Sequence, residues 1–269
     1  MFLKRTFGTA TMFTLVGLIT FFFPNWVFSL LASTLIGLSL YEFFTIIEKK
    51  GISVSKKFGV IIGMLVPLII HFQLGTEGFF ALEPFIIIIA CLFTVVIQFT
   101  RRDNSQALAN ISVMMFALLY IAWFFSFFVK IKFMPRGAYL VAFVVLVTKM
   151  GDIGAYLIGR SFGRHSLIPR ISPNKTIEGT AGGLVFSVAM AFISKSYLPN
   201  FSYYHLAALG VLLGILAQVG DLAESLLKRD CGVKDSGNSF SGFGGVFDLI
   251  DSLIFTAPIF YFYVVAVIR

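Results

Sequence analysis

The sequence predicts an all-α, polytopic membrane protein with about nine transmembrane helices. Of its 269 residues, 58% are hydrophobic and only 13% are charged, whereas ordinary soluble domains carry about 25% charged residues. The apolar residues form blocks long enough to cross the ~30 Å hydrocarbon layer as helices, which takes roughly 17 to 25 residues. Transmembrane β-strands would alternate in polarity, and the unbroken apolar run from Phe85 to Ile89 does not.

The predicted spans follow one another with short polar segments between them, which leaves no room for a separate soluble domain. They are 7–23, 25–47, 57–74, 79–99, 107–129, 137–158, 178–195, 204–227 and 246–267. We divide the chain into N-terminal membrane helices, 1–140, and C-terminal membrane helices that carry the charged motifs, 141–269. In the seventh span, Gly182 and Gly183 predict close packing against another helix.

The distribution of Lys and Arg predicts the orientation of the spans. With the N-terminus in the cytoplasm, fifteen of the 21 Lys and Arg residues fall on the cytoplasmic side, as the positive-inside rule requires. Two charged, glycine-containing segments, 159–178 and 228–245, then face the cytoplasm. The net charge of +8 suits the anionic lipid headgroups on that face of the bilayer.

Several classes of site find no support in the sequence. No basic face with a known nucleic-acid-binding fold is present, so no nucleic-acid partner is predicted. Cys91 and Cys231 form no spaced pair, and His71, His165 and His205 are scattered, so neither a disulfide nor a zinc site is indicated. A GxxxxGK[ST] phosphate loop is also missing, which argues against a P-loop nucleoside triphosphatase.

Carboxylates are concentrated in and beside the last two predicted spans. An ionised Asp at the centre of a membrane helix costs about 2.5 to 3.5 kcal/mol, so such a residue usually faces a polar cavity or a partner. On a helix Asp221, Glu224 and Ser225 share one face, and Asp248 and Asp251 lie about 60° apart. Two helices could therefore direct carboxylates at one cation. Taken singly, each acid could instead anchor a helix end at the headgroup level.

Basic and hydroxyl side chains accompany these acids. In the first charged segment Ser172 and Asn174 offer polar groups, and Lys175 and Thr176 precede the next span. Thr176 followed by Glu178 and an apolar run predicts a helix start, whose free N–H groups bind phosphate well. Hard oxygen ligands beside cations suggest a Mg²⁺-phosphate site. A plain basic cytoplasmic loop is the alternative for this segment.

These residues resemble the motifs of the phosphatidate cytidylyltransferases, also called CDP-diacylglycerol synthases. The C-terminal motif matches at Ser225, Leu227, Lys228, Arg229, Lys234, Asp235, Gly237, Phe240, Gly244, Gly245, Val246, Asp248, Ile250 and Asp251. A second block matches at Ser172, Pro173, Asn174, Lys175, Thr176, Glu178 and Gly179, and the helix before it at Asp152, Ala155, Tyr156 and Gly159. The likeness covers roughly residues 150–255.

Three positions depart from the family motif. Phe243 stands where the family has His, Ser241 where it usually has Pro, and Leu249 where an Arg follows the aspartate. The absence of this His and this Arg removes two candidate phosphate contacts, whereas the carboxylates of the motif are retained.

The resemblance implies transfer of a cytidylyl group from CTP to phosphatidic acid, which gives CDP-diacylglycerol and pyrophosphate. It implies Mg²⁺ held by Asp221, Asp248 and Asp251, with room for a second cation such as K⁺. Catalytic roles fall to Asp221, Asp248, Lys228 and Ser225, and substrate contacts to Ser172, Asn174, Lys175, Thr176, Arg229, Lys234 and Asp235. CTP, phosphatidic acid and the lipid bilayer are the implied partners, with a homo-oligomer as a further expectation. The expected location is an inner membrane of bacterial type, with the active site facing the cytoplasm.

The sequence alone leaves other functions open. An ion-coupled transporter would use Asp152, Asp221 and Asp248 as cation or proton sites, although no repeated halves are visible in the sequence. A polyprenol or phytol kinase would use the same kind of site to phosphorylate a lipid alcohol. A non-catalytic scaffold would explain Phe243 and Leu249.

Overall fold

The computed structural model describes residues 14–76, 82–100, 105–237 and 245–268, and these are mostly helical. The α-helices are α1 (Asn25–Lys49), α2 (Lys56–Gly75), α3 (Leu82–Phe99), α4 (Ala107–Ala117), α5 (Phe124–Phe133), α6 (Gly137–Phe162), α7 (Ile177–Ile193), α8 (Tyr203–Asp230) and α9 (Phe247–Tyr263). Two π-helical turns, Leu118–Trp123 and Val264–Ile268, follow α4 and α9, and a 3-10 turn, Ser194–Ser196, follows α7. The antiparallel strands β1 (Ser166–Ile168) and β2 (Ser172–Thr176) form a hairpin between α6 and α7.

Among the described residues, eight helical segments are long and apolar enough to cross a membrane. They coincide with eight of the predicted spans, and α4, its π-turn and α5 together make one of them, Ala107–Phe133. The remaining predicted span, 7–23, lies partly outside the described residues, and its described part is helical over 14–22. The all-α membrane fold is therefore confirmed.

The chain divides into two compact units. One contains residues 1–134 and 231–249, and the other contains 135–230 and 250–269. The first unit thus includes α1 to α5 and also a later segment that runs into the start of α9. The division of the chain into helices 1–140 and 141–269 stays a prediction.

Aromatic packing holds that later segment within the first unit. The Phe247 ring lies 5.9 Å from the Phe43 ring of α1 and 6.4 Å from the Tyr120 ring, both edge to face. Phe43 also packs edge to face on Phe44 at 5.8 Å. Phe43, Phe44 and Phe247 are essentially inaccessible to solvent, and large aromatic side chains of this kind contribute strongly to packing. The start of α9 is therefore anchored on α1.

Small residues bring α6 and α7 together in the second unit. A Cβ at Gly183 would lie 2.9 Å from the carbonyl oxygen of Gly151 and 3.0 Å from the Ala155 Cβ, and one at Gly182 would lie 2.5 Å from the Ile158 side chain. Larger side chains would force the two backbones apart. The predicted close packing at these two glycines is confirmed.

The hairpin is fastened to the start of α7. Thr176 caps the helix, because its Oγ1 accepts a 3.1 Å hydrogen bond from the Gly179 amide. The Glu178 carboxylate accepts hydrogen bonds from the Arg164 and His165 amides at 3.1 and 3.3 Å, and it lies 2.7 Å from His165 Nδ1. The helix start predicted at Thr176 is confirmed, and the hairpin before it is an additional finding.

Candidate active site

Three carboxylates from two helices converge in the second unit. Asp221 and Glu224 lie one turn apart on α8, and Asp251 lies on α9. One oxygen from each lies within 4.8 Å of the others. Glu224 and Asp251 are only 1% and 6% exposed, so their mutual repulsion is poorly screened by water. A group of this kind needs positive charge beside it.

A glycine makes this convergence sterically possible. Gly220 immediately precedes Asp221, and a Cβ at this position would lie 2.5 Å from the carbonyl oxygen of Asp251 and 3.2 Å from the Ser252 Cα. The backbones of α8 and α9 therefore touch beside the carboxylates. The Asp251 side chain turns back on its own helix, where its Oδ1 accepts a hydrogen bond from the Ser252 amide.

Two lysines lie against this acidic group. Lys175 Nζ, from β2, lies 2.7 Å from Asp221 Oδ1, and Lys228 Nζ lies 2.7 Å from Glu224 Oε2 one turn earlier on α8. An ammonium on a long flexible stem can move between a carboxylate and a phosphate oxygen. Lys175 belongs to the second family block, residues 172–179, which the sequence predicts to bind phosphate. The structure therefore brings this phosphate block to the acidic group.

A third lysine lies inside the membrane span formed by α6. Lys149 Nζ lies 3.0 Å from Asp152 Oδ2 and 2.8 Å from Ser252 Oγ, and the Ser252 hydroxyl donates to the same Asp152 oxygen at 3.1 Å. The ammonium also interacts electrostatically with Asp251 and Asp221. A charged group within a membrane helix normally has a partner or a function. Lys149 therefore extends the charged site into the span.

A cavity of about 430 Å³ opens beside Asp221. Its volume lies within the range of roughly 300 to 1,000 Å³ that is typical of small-molecule pockets. The residues lining it come from α6, the hairpin, α7 and α8, and those that matter here are Asp152, Asn174, Lys175, Thr176, Gln218 and Asp221. One cavity is thus shared by Asp221 and by the predicted phosphate block, which supplies Asn174, Lys175 and Thr176.

Gln218 is a site residue to which the sequence assigned no role, and Glu224, which the sequence placed on the face of Asp221, was not among the predicted metal ligands. The Gln218 amide donates a 3.0 Å hydrogen bond to the Thr180 carbonyl, which leaves its side chain on the cavity wall. Both residues lie three positions from Asp221 on α8, so they share its face of the helix. That spacing is the signal that could have identified Gln218.

The remaining predicted residues have varied surroundings. The Arg229 Nε donates to the Ile171 carbonyl at 3.3 Å, Ser225 is half-buried on α8, and Lys234 and Asp235 are exposed. Ser172 begins β2. Their predicted roles stay predictions.

Asp248 belongs to the first unit. Its Oδ2 accepts a 2.9 Å hydrogen bond from the Gly245 amide at the start of α9. Of the three positions that depart from the family motif, Ser241 and Phe243 lie outside the described residues, and Leu249 is half-buried on α9.

The chemistry of the acidic group fits a divalent cation. Carboxylate oxygens are the ligands that Mg²⁺ prefers, at about 2.1 Å, which places two ligands of one ion about 3 to 4 Å apart. The oxygens of Asp221, Glu224 and Asp251 already lie within 4.8 Å of one another. A small inward movement would bring them to that spacing.

A family model described as the cytidylyltransferase family matches residues 3–267. Several relatives are named phosphatidate cytidylyltransferase. The one from Bacillus subtilis is 36% identical over 181 residues, which cover 66% of this chain and 65% of the relative. The one from Synechocystis sp. is 31% identical over 271 residues, which cover 90% of this chain and 89% of the relative.

A third relative is the uncharacterized protein YnbB of Escherichia coli. It is 40% identical over 149 residues, which cover 55% of this chain and 49% of the relative. The chain therefore spans just under two thirds of the B. subtilis relative and about half of the E. coli relative.

Proposed function

Because the chain belongs to the cytidylyltransferase family, we propose that it transfers a cytidylyl group from CTP to phosphatidic acid, giving CDP-diacylglycerol and pyrophosphate. The observation that carries the proposal is the cavity in which Lys175, from the predicted phosphate block, lies 2.7 Å from Asp221 of the acidic group. Carboxylates for a cation and an ammonium for phosphate are the two components that a nucleotidyl transfer needs.

The chemistry requires positioning and charge compensation more than covalent participation by the protein. A phosphate oxygen of phosphatidic acid forms the new bond to the α-phosphorus of CTP. The bond from that phosphorus to the oxygen that bridges the α- and β-phosphates breaks. The electron pair leaves with pyrophosphate. The protein must align the two phosphates and offset their negative charge as they approach.

Asp221, Glu224 and Asp251 would hold the Mg²⁺, and Asp248 is kept as a predicted ligand on the resemblance alone. When bound, the ion would supply charge neutralisation for the triphosphate and for the departing pyrophosphate. Whether a second cation such as K⁺ also binds stays a prediction.

Lys175 and Lys228 change partners in this proposal. Each now lies 2.7 Å from a carboxylate of the acidic group. If those carboxylates held a cation, the two ammonium groups would instead bind phosphate oxygens of the substrates, where charge-assisted hydrogen bonds are stronger than neutral ones. Arg229, Lys234, Ser225, Ser172, Asn174 and Asp235 keep their predicted supporting roles in substrate binding or catalysis.

The chain is an integral membrane protein, and its lipid substrate comes from the bilayer. We propose that the acyl chains stay among the lipids while the headgroup enters the cavity from the cytoplasmic side. The excess of Lys and Arg in the segments assigned to that side supports this orientation. An inner membrane and a homo-oligomeric assembly remain parts of the proposal.

The alternatives are less well supported. The relatives described above include two named phosphatidate cytidylyltransferase, and neither a transporter nor a lipid kinase is among them. A kinase would release a nucleoside diphosphate, whereas the proposed reaction releases pyrophosphate.

Purified protein in detergent micelles, given CTP, phosphatidic acid and Mg²⁺, should release pyrophosphate and form a cytidylylated lipid that mass spectrometry can identify. Asp221→Asn should abolish turnover while the protein still elutes as a folded species in size-exclusion chromatography. A wild-type preparation that releases no pyrophosphate under any metal or lipid condition would refute the proposal.

A further inference from the structure

A buried carboxylate on α1 contacts the C-terminal motif. Glu42 is 3% exposed, and its Oε2 accepts a 3.0 Å hydrogen bond from the Phe247 amide and a 3.3 Å hydrogen bond from the Ser236 hydroxyl. All three residues belong to the first unit. An acidic side chain is costly to bury within a membrane helix and is kept there for its contacts.

The backbone on both sides of residues 238–244 closes tightly around this carboxylate. A Cβ at Gly237 would lie 2.9 Å from Glu42 Oε1. At Gly245 an added Cβ would overlap both Glu42 Oε2 and Ser236 Oγ. Both glycines are therefore required for the approach of the chain to Glu42, and both belong to the motif that resembles the cytidylyltransferases.

Through these backbone contacts Glu42 also helps to orient the Asp248 side chain. The Glu42 carboxylate holds the Phe247 amide, while the Gly245 amide donates to Asp248 Oδ2 at 2.9 Å. Asp248 is thus oriented by a backbone segment that Glu42 holds in place. The packing of Phe43 on Phe247 at 5.9 Å fixes the same segment from the neighbouring position on α1.

We propose that Glu42 is a positioning residue for Asp248, because it fixes the start of α9 and so orients the Asp248 carboxylate as a cation ligand. This inference rests on the proposed function and on the predicted role of Asp248. Residues that orient metal ligands typically contribute roughly 10-fold to 100-fold to metal affinity or activity.

A second buried acid in the same unit provides a matched control. Glu83 on α3 is 8% exposed, lies 2.7 Å from Lys130 Nζ and accepts a hydrogen bond from the Trp123 indole. These partners lie on the helical span 107–133, outside the motif. Glu42 and Glu83 therefore share residue type and burial, but only Glu42 contacts the motif in the described part of the chain.

The test compares Glu42→Gln and Glu42→Met with Glu83→Gln in the full-length protein in detergent. Mn²⁺ binding, followed by the loss of the free-ion electron paramagnetic resonance signal, measures cation affinity without any need for turnover. We expect Glu42→Met to weaken Mn²⁺ binding by roughly 10-fold or more and Glu42→Gln, which keeps one acceptor oxygen, to weaken it less. Glu83→Gln should leave the binding unchanged.

Kinetics provide the second measurement. The Mg²⁺ concentration for half-maximal pyrophosphate release should rise in the two Glu42 variants by a factor similar to that for Mn²⁺, and it should stay constant in Glu83→Gln. Ser236→Ala, which removes one hydrogen bond to Glu42, should cause a smaller rise of the same kind.

Wild-type Mn²⁺ affinity in both Glu42→Gln and Ser236→Ala would overturn the proposal, even if Glu42→Met failed to fold. An equal loss of affinity in Glu83→Gln would also overturn it, because the effect would then be one of general stability. If the wild-type protein bound Mn²⁺ but released no pyrophosphate from CTP, the proposed function would fail, and the Mn²⁺ titrations would still decide the role of Glu42.

Discussion

Lys175 Nζ lies 2.7 Å from Asp221 Oδ1, so a residue of the predicted phosphate block is paired with a predicted metal ligand. The two residues are 46 positions apart in the sequence, and the hairpin before α7 brings the lysine to α8. Both side chains are partly exposed to the cavity, at 27% and 39%. The Lys175 ammonium itself is buried against Asp221, and the exchange of this pair for a cation and a phosphate can be tested.

Lys175→Met should weaken the binding of CTP without weakening the binding of Mn²⁺. Without the ammonium beside Asp221, Mn²⁺ should bind at least as tightly as in the wild type, whereas the KM for CTP should rise by about 10-fold or more because a charge-assisted contact is lost. Electron paramagnetic resonance and steady-state pyrophosphate release measure the two effects. Lys195→Met removes a lysine whose ammonium donates to the Pro199 and Phe201 carbonyls, away from the cavity, and it should change neither constant. Parallel loss of both affinities in Lys175→Met would contradict the exchange.

Gly220→Ala should weaken cation binding. The added Cβ would lie 2.5 Å from the Asp251 carbonyl oxygen, so α8 and α9 must separate and the carboxylates move apart. We expect Mn²⁺ affinity to fall by about 10-fold. Gly210→Ala, on the same helix, would place a Cβ 2.8 Å from the Val188 Cα, and it should lower the melting temperature but leave Mn²⁺ affinity intact. Equal Mn²⁺ affinity in the two variants would refute the steric role of Gly220.

The contributions of Lys149 and Asp152 to the stability of the protein should depend on each other. Removing either charge alone, in Lys149→Met or Asp152→Asn, leaves the other without its 3.0 Å ion pair, and we expect each to lower the melting temperature by about 5 °C or more. The double variant should lose clearly less than the sum of the two single losses. Scanning fluorimetry in detergent gives all four melting temperatures. Additive losses would mean that the pair contributes no coupling energy.

Thr176→Ala should loosen the start of α7. It removes the hydrogen bond from the Gly179 amide to Thr176 Oγ1, a loss of about 1 kcal/mol for a helix cap. Because Thr176 also lines the cavity, the KM for CTP should rise a fewfold. Thr176→Ser keeps the hydroxyl and should restore both stability and KM. Failure of the serine variant to do so would show that the methyl group, and not the cap, is responsible.

Much of the fold could be predicted because membrane spans are long apolar blocks that the sequence displays directly. The cap at Thr176 and the shared face of Asp221 and Glu224 were also predictable, since both depend on spacing within one helix. The resemblance to the phosphatidate cytidylyltransferases is supported by the family match over residues 3–267.

Contacts between distant segments were not predictable. The hairpin occupies a short polar loop that contains Pro169 and Pro173, residues that also suit an irregular loop. Glu42 is a single acid in an apolar span, and its contacts to Ser236 and Phe247 join residues about 200 positions apart. Such pairings arise from helix packing, and no local pattern in the sequence records them.

Cytidylyl transfer is tested most directly with CTP labelled at one of two positions. The protein is incubated with phosphatidic acid, Mg²⁺ and CTP that carries ³²P at either the α or the γ position, and the label in extracted lipid is counted. We predict that α-label enters the lipid with release of an equal amount of pyrophosphate, and that γ-label stays in the aqueous phase. Label from the γ position in the lipid, or no α-label there, would contradict cytidylyl transfer.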